Sequence, residues 1–313
     1  MERNIIVCGS LAYDRIMGFP GYFHEHILPE KITSLNVCFQ VEGVQEKFGG
    51  TAGNIAYALT LMGEKPSISA SVGRDYHGYF EWLKKNGIST ELIRVVDEEL
   101  TPSCYLTTDL SNNQIIAFNS GAMKHTSLLD FDKLDPRKTI LIVSPGNLED
   151  MVSYPRECRA RGIDYIFDPG QSLPMLSGED LVDAIGGSRI LISNGYELDL
   201  IMSKTGLDKK ALLSLTGAVI TTLGDLGSTV HTLENEIGIP TVKARQVLDP
   251  TGAGDSYRGG LLTGLVQGRA IDHCARMGSV CASFAVECYG SQEYTFVMEE
   301  FNERFETIYI GER

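Results

Sequence analysis

Asp249-Pro250-Thr251-Gly252-Ala253-Gly254-Asp255-Ser256 opens a stretch whose spacing predicts a long helix from about Gly252 to Gly268. A helix start presents backbone N–H groups without intrahelical partners and a partial positive charge. Gly252 and Gly254 let the main chain come close to an anion, and Asp255 adds a carboxylate that can take a proton. An anion holder beside a base suits phosphoryl transfer to a hydroxyl. A plainer reading uses the same residues. Asp and Gly are common at helix starts, and an acid in the first turn stabilises a helix without doing chemistry. The helix start also favours ionised Asp255, which makes it a weaker base; a late proton transfer tolerates that.

Working outward, the chain after about residue 124 alternates regularly. Short apolar strands at Ile140–Val143, Tyr165–Phe167, Ile190–Ser193 and Ala218–Thr221 are separated by helical stretches. That order predicts a parallel sheet with crossover helices. Ser228–Leu233 and Gly238–Val242 read as an antiparallel hairpin, and Asp272–Glu287 and Phe296–Tyr309 as helices. Ligands collect at the C-terminal ends of such strands. Asn194 with Glu197, the turn Thr222 to Ser228, and Asp168-Pro169-Gly170 all follow strands, although polar residues and glycines also merely close strands.

The N-terminal part is less regular. Ile5–Cys8 reads as a buried strand, and 11–48 as irregular with alternating pieces such as Ser34–Val41. Gly49-Gly50-Thr51-Ala52-Gly53-Asn54 breaks the chain before helical spacing at Ile55–Met62; Ser67–Val72 is strand-like and Tyr76–Asn86 an amphipathic helix. Tyr105–Thr108 and Gln114–Phe118 flank a turn, so a hairpin there joins the 11–48 region in a small sheet apart from the main body.

The 313 residues suit one α/β domain with a small appendage. A formal charge of −14 argues against a nucleic-acid surface but not against a small anion, which helix starts and Mg²⁺ can hold. The seven cysteines are odd in number and contain no Cys-x-x-Cys; Cys274, Cys281 and Cys288, spaced by seven, line one helix face. Neighbours about 10 Å apart are too distant for a disulfide. A reducing cytoplasm fits this usage, and neither a signal peptide nor a membrane-length apolar run is evident.

Gly49 to Ala56, and Asp249 to Asp255 with Ser256-Tyr257-Arg258-Gly259-Gly260, resemble the two signature regions of the ribokinase (PfkB-type) family of carbohydrate and nucleoside kinases. Asn194-Gly195-Tyr196-Glu197 resembles its Asn-x-x-Glu motif, and Thr222 to Gly227 its nucleotide-binding turn. The resemblance implies a three-layer fold with a mostly parallel sheet and a small β lid, over one domain spanning 1–313 with lid elements at about 11–48 and 103–120. It implies an anion hole at Gly252, Ala253 and Gly254, with Asp255 as general base. Asp14, Gly49, Gly50 and Asn54 would hold acceptor hydroxyls. Asp14 can instead cap a local turn, and Asn54 can be the N-cap of the helix at 55–62. Thr222, Gly224 and Gly227 would lie along ATP, and Ser279 would stand where family members often place Asn near adenine. Asn194 and Glu197 would organise Mg²⁺ through water, and backbone at Asp249 and Thr251 a monovalent cation such as K⁺.

Gln114 to Met123, Phe167 to Pro174 and Tyr289 to Gln292 look more like microbial adenosine kinase-like members than ribokinases. Gln114, Ile116 and Phe118 share a strand face, and Phe118 can stack on a purine or serve as lid core. The expectation is an ATP-dependent kinase of a nucleoside, adenosine and its 5′-hydroxyl favoured. The rivals are a sugar kinase and a non-catalytic nucleoside sensor. Lid strands in this family sometimes pair between subunits, so monomer and homodimer both stay open.

Overall fold

The computed structural model describes residues 3–311. In chain order the strands are β1 (Asn4–Cys8), β2 (Ala12–Gly18), β3 (Glu42–Gly49), β4 (Ser67–Gly73), β5 (Ile93–Val96), β6 (Ser103–Thr108) and β7 (Gln114–Asn119). They continue with β8 (Thr139–Val143), β9 (Asp164–Phe167), β10 (Ile190–Asn194), β11 (Val219–Thr222), β12 (Ser228–His231) and β13 (Glu236–Ile239). The helices are α1 (Phe23–His26), α2 (Thr51–Leu61), α3 (His77–Lys85), α4 (Leu148–Arg161), α5 (Gly178–Ile185), α6 (Gly195–Thr205), α7 (Lys209–Leu213), α8 (Ala253–Val266), α9 (Ile271–Ala285) and α10 (Met298–Tyr309).

Nine strands form one sheet in the order β13-β12-β11-β10-β9-β8-β1-β4-β5, parallel except where β12 and β13 turn back antiparallel. Both faces are covered, which is why the strands are continuously apolar. On β1, Ile5 and Val7 join a core with α2, α3, α8 and α9, while Ile6 and Cys8 face the core under α4 to α7. The result is three layers with the sheet in the middle.

A second sheet stands apart, in the order β3-β2-β6-β7. It confirms the small sheet expected from 11–48 and 103–120, but the strands within 11–48 are not the alternating piece Ser34–Val41. Between β6 and Glu42–Gly49 lies β2; Ser34–Val41 lies outside the strands, where aromatic packing of Phe39 on Phe19 and Phe23 holds it. The strand β5 has no counterpart in the sequence reading, because four residues carry too little period to register. The helix α2 begins at Thr51, earlier than the glycine run suggests, because Gly50 absorbs the sharp turn at φ +89°. Likewise α9 ends at Ala285, so Cys288 lies beyond the helix that carries Cys274 and Cys281. All seven cysteines are free.

The helix that follows the opening motif is clamped. A Cβ at Gly260 would lie 2.6 Å from the Met277 carbonyl, and one at Gly259 2.5 Å from the Ala58 Cβ. Backbone-close packing of α8 on α9 and α2 fixes where its N-terminus points.

Candidate active site

Gly252 is the left-handed N-cap of α8, at φ +79°. A Cβ there would stand 2.6 Å from the Ser291 Cβ, so both conformation and space require glycine. The amides of Gly254 and Asp255 fall in the first turn, where no i−4 partner exists. Ala253, expected among the anion-binding amides, donates instead to the Pro250 carbonyl at 3.2 Å.

Asp255 follows on the same turn. Its Oδ2 accepts from Asn54 Nδ2 at 2.8 Å. The Asn54 carbonyl oxygen is itself held by Ser291 Oγ at 2.8 Å and Gln292 Nε2 at 3.0 Å. Gln292 also donates to the Tyr79 hydroxyl, and Tyr79 to the Gly49 carbonyl. Asn54 is therefore not an N-cap: it sits inside α2, with Gly50 capping, and its amide orients the carboxylate. Burial pushes Asp255 up to about 6, with Asp168 and Glu197 adding to the rise, while Arg258 and Asn54 oppose it. The helix start was expected to favour the ionised form; desolvation wins. A carboxylate at about 6 is a better base than one in its ordinary range and is still ionised at neutral pH.

Asp255 lines a cavity of about 500 Å³. Residues of the lid sheet line it as well. Cross-strand register sets Asp14 beside Cys104, and Cys104 beside Phe118, on one face. All three line the cavity with Gly50, Asn54, Thr251 and Gly252. Phe118 is 51% exposed, so its ring is available and not lid core. Asp14 is pushed up to about 6 by burial and by repulsion from Asp249. Gly49 does not line the cavity: its missing Cβ makes room for Asp14, whose Oδ2 lies 2.3 Å from where that atom would be.

Of the other expected residues, Asn194 and Thr222 end the parallel strands β10 and β11, with Glu197, Gly224 and Gly227 just after them, whereas Ser279 lies within α9 and Asp249 in the loop before α8. Asn194 and Glu197 form a reciprocal capping box on α6, each side chain accepting the other's backbone N–H at 2.8 Å. That commits Asn194 Oδ1 and Glu197 Oε2 to the helix start and leaves Glu197 Oε1 outside the box. Burial raises Glu197, helped by Asp168. Thr222 ends β11; Gly224 and Gly227 carry the next turn at φ +62° and +90°. Ser279 is buried on α9 against the Tyr309 hydroxyl. Asp249 accepts from Thr251 N through Oδ1 and from Gly290 N through Oδ2.

One pair escaped the sequence reading. Arg258, on α8 one turn beyond Asp255, donates to Asp168 Oδ1 at 2.5 Å and to the Gly254 carbonyl at 2.8 Å. Both partners are almost fully buried. The available signal was a lone charge inside the apolar run Ser256 to Leu262, which demands a buried partner. Among the described residues no group of three acidic, His or Cys side chains can hold a metal by itself, and no helix is long and apolar enough to cross a membrane.

The model of the pfkB family of carbohydrate kinases matches residues 24–296. The chain belongs to that family. It is thus a phosphotransferase with an alcohol acceptor, on a ribokinase-like fold with a β lid. The nucleoside kinase of Burkholderia thailandensis in complex with inosine is 37% identical, with TM-score 0.86 over 99% of both chains. The same kinase in complex with ADP-inosine gives TM-score 0.84 over 99% of this chain and 97% of that one. The nucleoside kinase of Methanocaldococcus jannaschii is 33% identical over 282 residues, 88% of this chain and 91% of its own length.

Proposed function

We propose that this kinase transfers the γ-phosphoryl group of ATP to the 5′-hydroxyl of a purine nucleoside, with adenosine the leading acceptor. The observation that carries the reading is the cavity itself, lined both by an oriented carboxylate and by an available aromatic ring of the lid. Family relatives named nucleoside kinases, one of them with inosine bound, support a nucleoside over a free sugar.

Asp255, held by Asn54, takes the proton of the acceptor hydroxyl as its oxygen bonds to the γ-phosphorus and the bond to the ADP oxygen breaks. The first-turn amides of α8 stabilise charge on the transferring group; losing such a donor typically costs about 10²–10³ in rate. Asp14 holds ribose hydroxyls, and Phe118 stacks on the base. Water excluded by the lid cannot compete for the phosphoryl group.

Three carboxylates, Asp168, Glu197 and Asp255, gather around the single cation Arg258, and neighbouring carboxylates raise both Glu197 and Asp255. That excess of negative charge fits an added cation. Glu197 and Asn194 would hold Mg²⁺ through water as it arrives with ATP, where it neutralises phosphate charge. Thr222, Gly224 and Gly227 would follow the nucleotide along the open strand ends.

The test is ADP release from ATP and Mg²⁺ across a panel of nucleosides and sugars, with the phosphorylated position read from the product. A nucleoside 5′-phosphate is expected. Turnover of ribose or fructose alone would replace this reading with a sugar kinase, and no turnover at all would replace it with a sensor.

A further inference from the structure

Arg258 sits on α8 and is 7% exposed. Its Nη1 donates to the Gly254 carbonyl at 2.8 Å and its Nη2 to Asp168 Oδ1 at 2.5 Å. Gly254 makes room for this: a Cβ there would lie 2.9 Å from Nη1. Asp168 is fixed in turn, its amide donating to the Val143 carbonyl at 2.9 Å. Burial opposes the charge on Arg258, but Asp168, Asp255 and Glu197 together hold its pKa well above the ordinary value. Neither Arg258 nor Asp168 lines the acceptor cavity.

The Gly254 carbonyl and the Asp255 N–H belong to one planar trans peptide group and point in opposite directions. In a helix that carbonyl has a regular partner in the N–H four residues on, which is that of Arg258 itself. The guanidinium is a second donor, and a charged one. A charge-assisted bond to the carbonyl oxygen polarises the peptide and strengthens whatever bond its N–H makes at the other end. That N–H is one of the first-turn amides without an i−4 partner. A purely structural ion pair would need only Asp168; the bond to Gly254 aims the cation at this one peptide.

We propose that Arg258 is a positioning residue that charges the anion hole from behind: its guanidinium, pinned by Asp168, polarises the Gly254–Asp255 peptide, so that the Asp255 N–H holds the transferring phosphoryl group more tightly. The cation acts through one peptide and touches neither substrate. The inference deepens the proposed kinase reading and rests on it for the identity of the anion.

Three forms of the full chain are compared: the unchanged protein, Arg258→Lys, and the double variant Arg258→Met with Asp168→Asn. The double variant removes both charges, so no buried carboxylate is left without its partner. Initial rates are measured with ATP and Mg²⁺, and ADP binding is titrated by calorimetry with and without aluminium fluoride, a mimic of the transferring group. Losing an anion-hole donor outright costs about 10²–10³ in rate, so weakening one should cost the double variant about tenfold in kcat. Its KM for ATP and for the acceptor should change little, and the gain in ADP affinity that aluminium fluoride brings should shrink by a similar factor. Arg258→Lys keeps a charge near the same carbonyl and should recover part of both losses. If the double variant does not fold, Arg258→Gln with Asp168→Asn serves. The proposal is overturned if the double variant keeps its kcat, if its loss lies in KM alone, if Arg258→Lys does no better, or if aluminium fluoride changes ADP affinity equally in all three forms. Absence of turnover by the unchanged protein with every acceptor would sink the kinase reading, while the aluminium fluoride gain still decides the role of Arg258.

Discussion

The proposed acceptor side and the proposed donor side of this protein are built on different plans. On the acceptor side, Asp255, Asn54, Ser291, Gln292, Tyr79 and Gly49 form one unbroken chain of buried hydrogen bonds. On the donor side the strand ends and the turn after β11 stand open, with Tyr196 and Leu226 more than three-quarters exposed. A base must be aimed before the reaction begins, and buried networks do that aiming. A nucleotide brings its own charge and metal, so its platform needs mainly backbone and room. On the proposed function, the difference teaches that the chemistry is preorganised on one side and completed by the substrate on the other.

The largest break in that comparison should come from Asp255→Asn. It removes the base and leaves the donor platform intact. Turnover should fall by about 10²–10⁴ while ATP affinity, measured by calorimetry, stays near normal. Ordinary turnover would show that the carboxylate is not the base. Phe118→Ala comes next. Base stacking is worth about 1–3 kcal/mol, so the nucleoside KM should rise by roughly one to two powers of ten. A free sugar should be unaffected, and equal weakening of both would move the ring from base platform to lid packing.

How far these residues were legible in the sequence follows the same division. The helix start at Gly252 and the strand ends were readable because glycine placement and strand–helix alternation are local patterns. Asp255 as the candidate base was legible, but its environment was not. Its position on the helix argues for an ordinary or lowered pKa, and only the fold shows that burial outweighs the helix. Asn54 was marked, yet its role as orienter depends on Ser291 and Gln292, more than 230 positions away. Arg258 with Asp168 is likewise a long-range pair that no spacing rule encodes. Within 11–48 the alternating piece Ser34–Val41 was marked while β2 and β3 were not, because exposed lid strands alternate weakly and the aromatic cluster beside them mimics a strand.

A smaller effect concerns pH. Asp255 and Asp14 are both raised to about 6 and both are needed as carboxylates, so kcat/KM should be level above that pH and fall below it. At one unit below, each protonation costs about tenfold, and two together make the limb steeper than one proton allows. Asp14→Asn keeps an acceptor oxygen but cannot titrate. Its limb should shallow to a single proton while the midpoint near Asp255 stays. An unchanged slope would mean that Asp14 binds the acceptor equally well when protonated.

The smallest effect should separate two glycines of the donor turn. A Cβ at Gly227 would collide with the Ile239 carbonyl at 2.1 Å, whereas at Gly224 nothing lies within 4 Å. Gly224, at φ +62°, has a φ that Asn tolerates, whereas Gly227, at φ +90° and ψ −132°, lies outside the left-handed helical region. Gly224→Asn should therefore leave the melting temperature and acceptor KM unchanged and move the KM for ATP by no more than about twofold. Gly227→Asn should instead push the start of β12 away from the end of β13 and lower the melting temperature. If Gly224→Asn raised the KM for ATP strongly with melting unchanged, the nucleotide would need the space above that residue, and the donor side would be less permissive than its exposure implies.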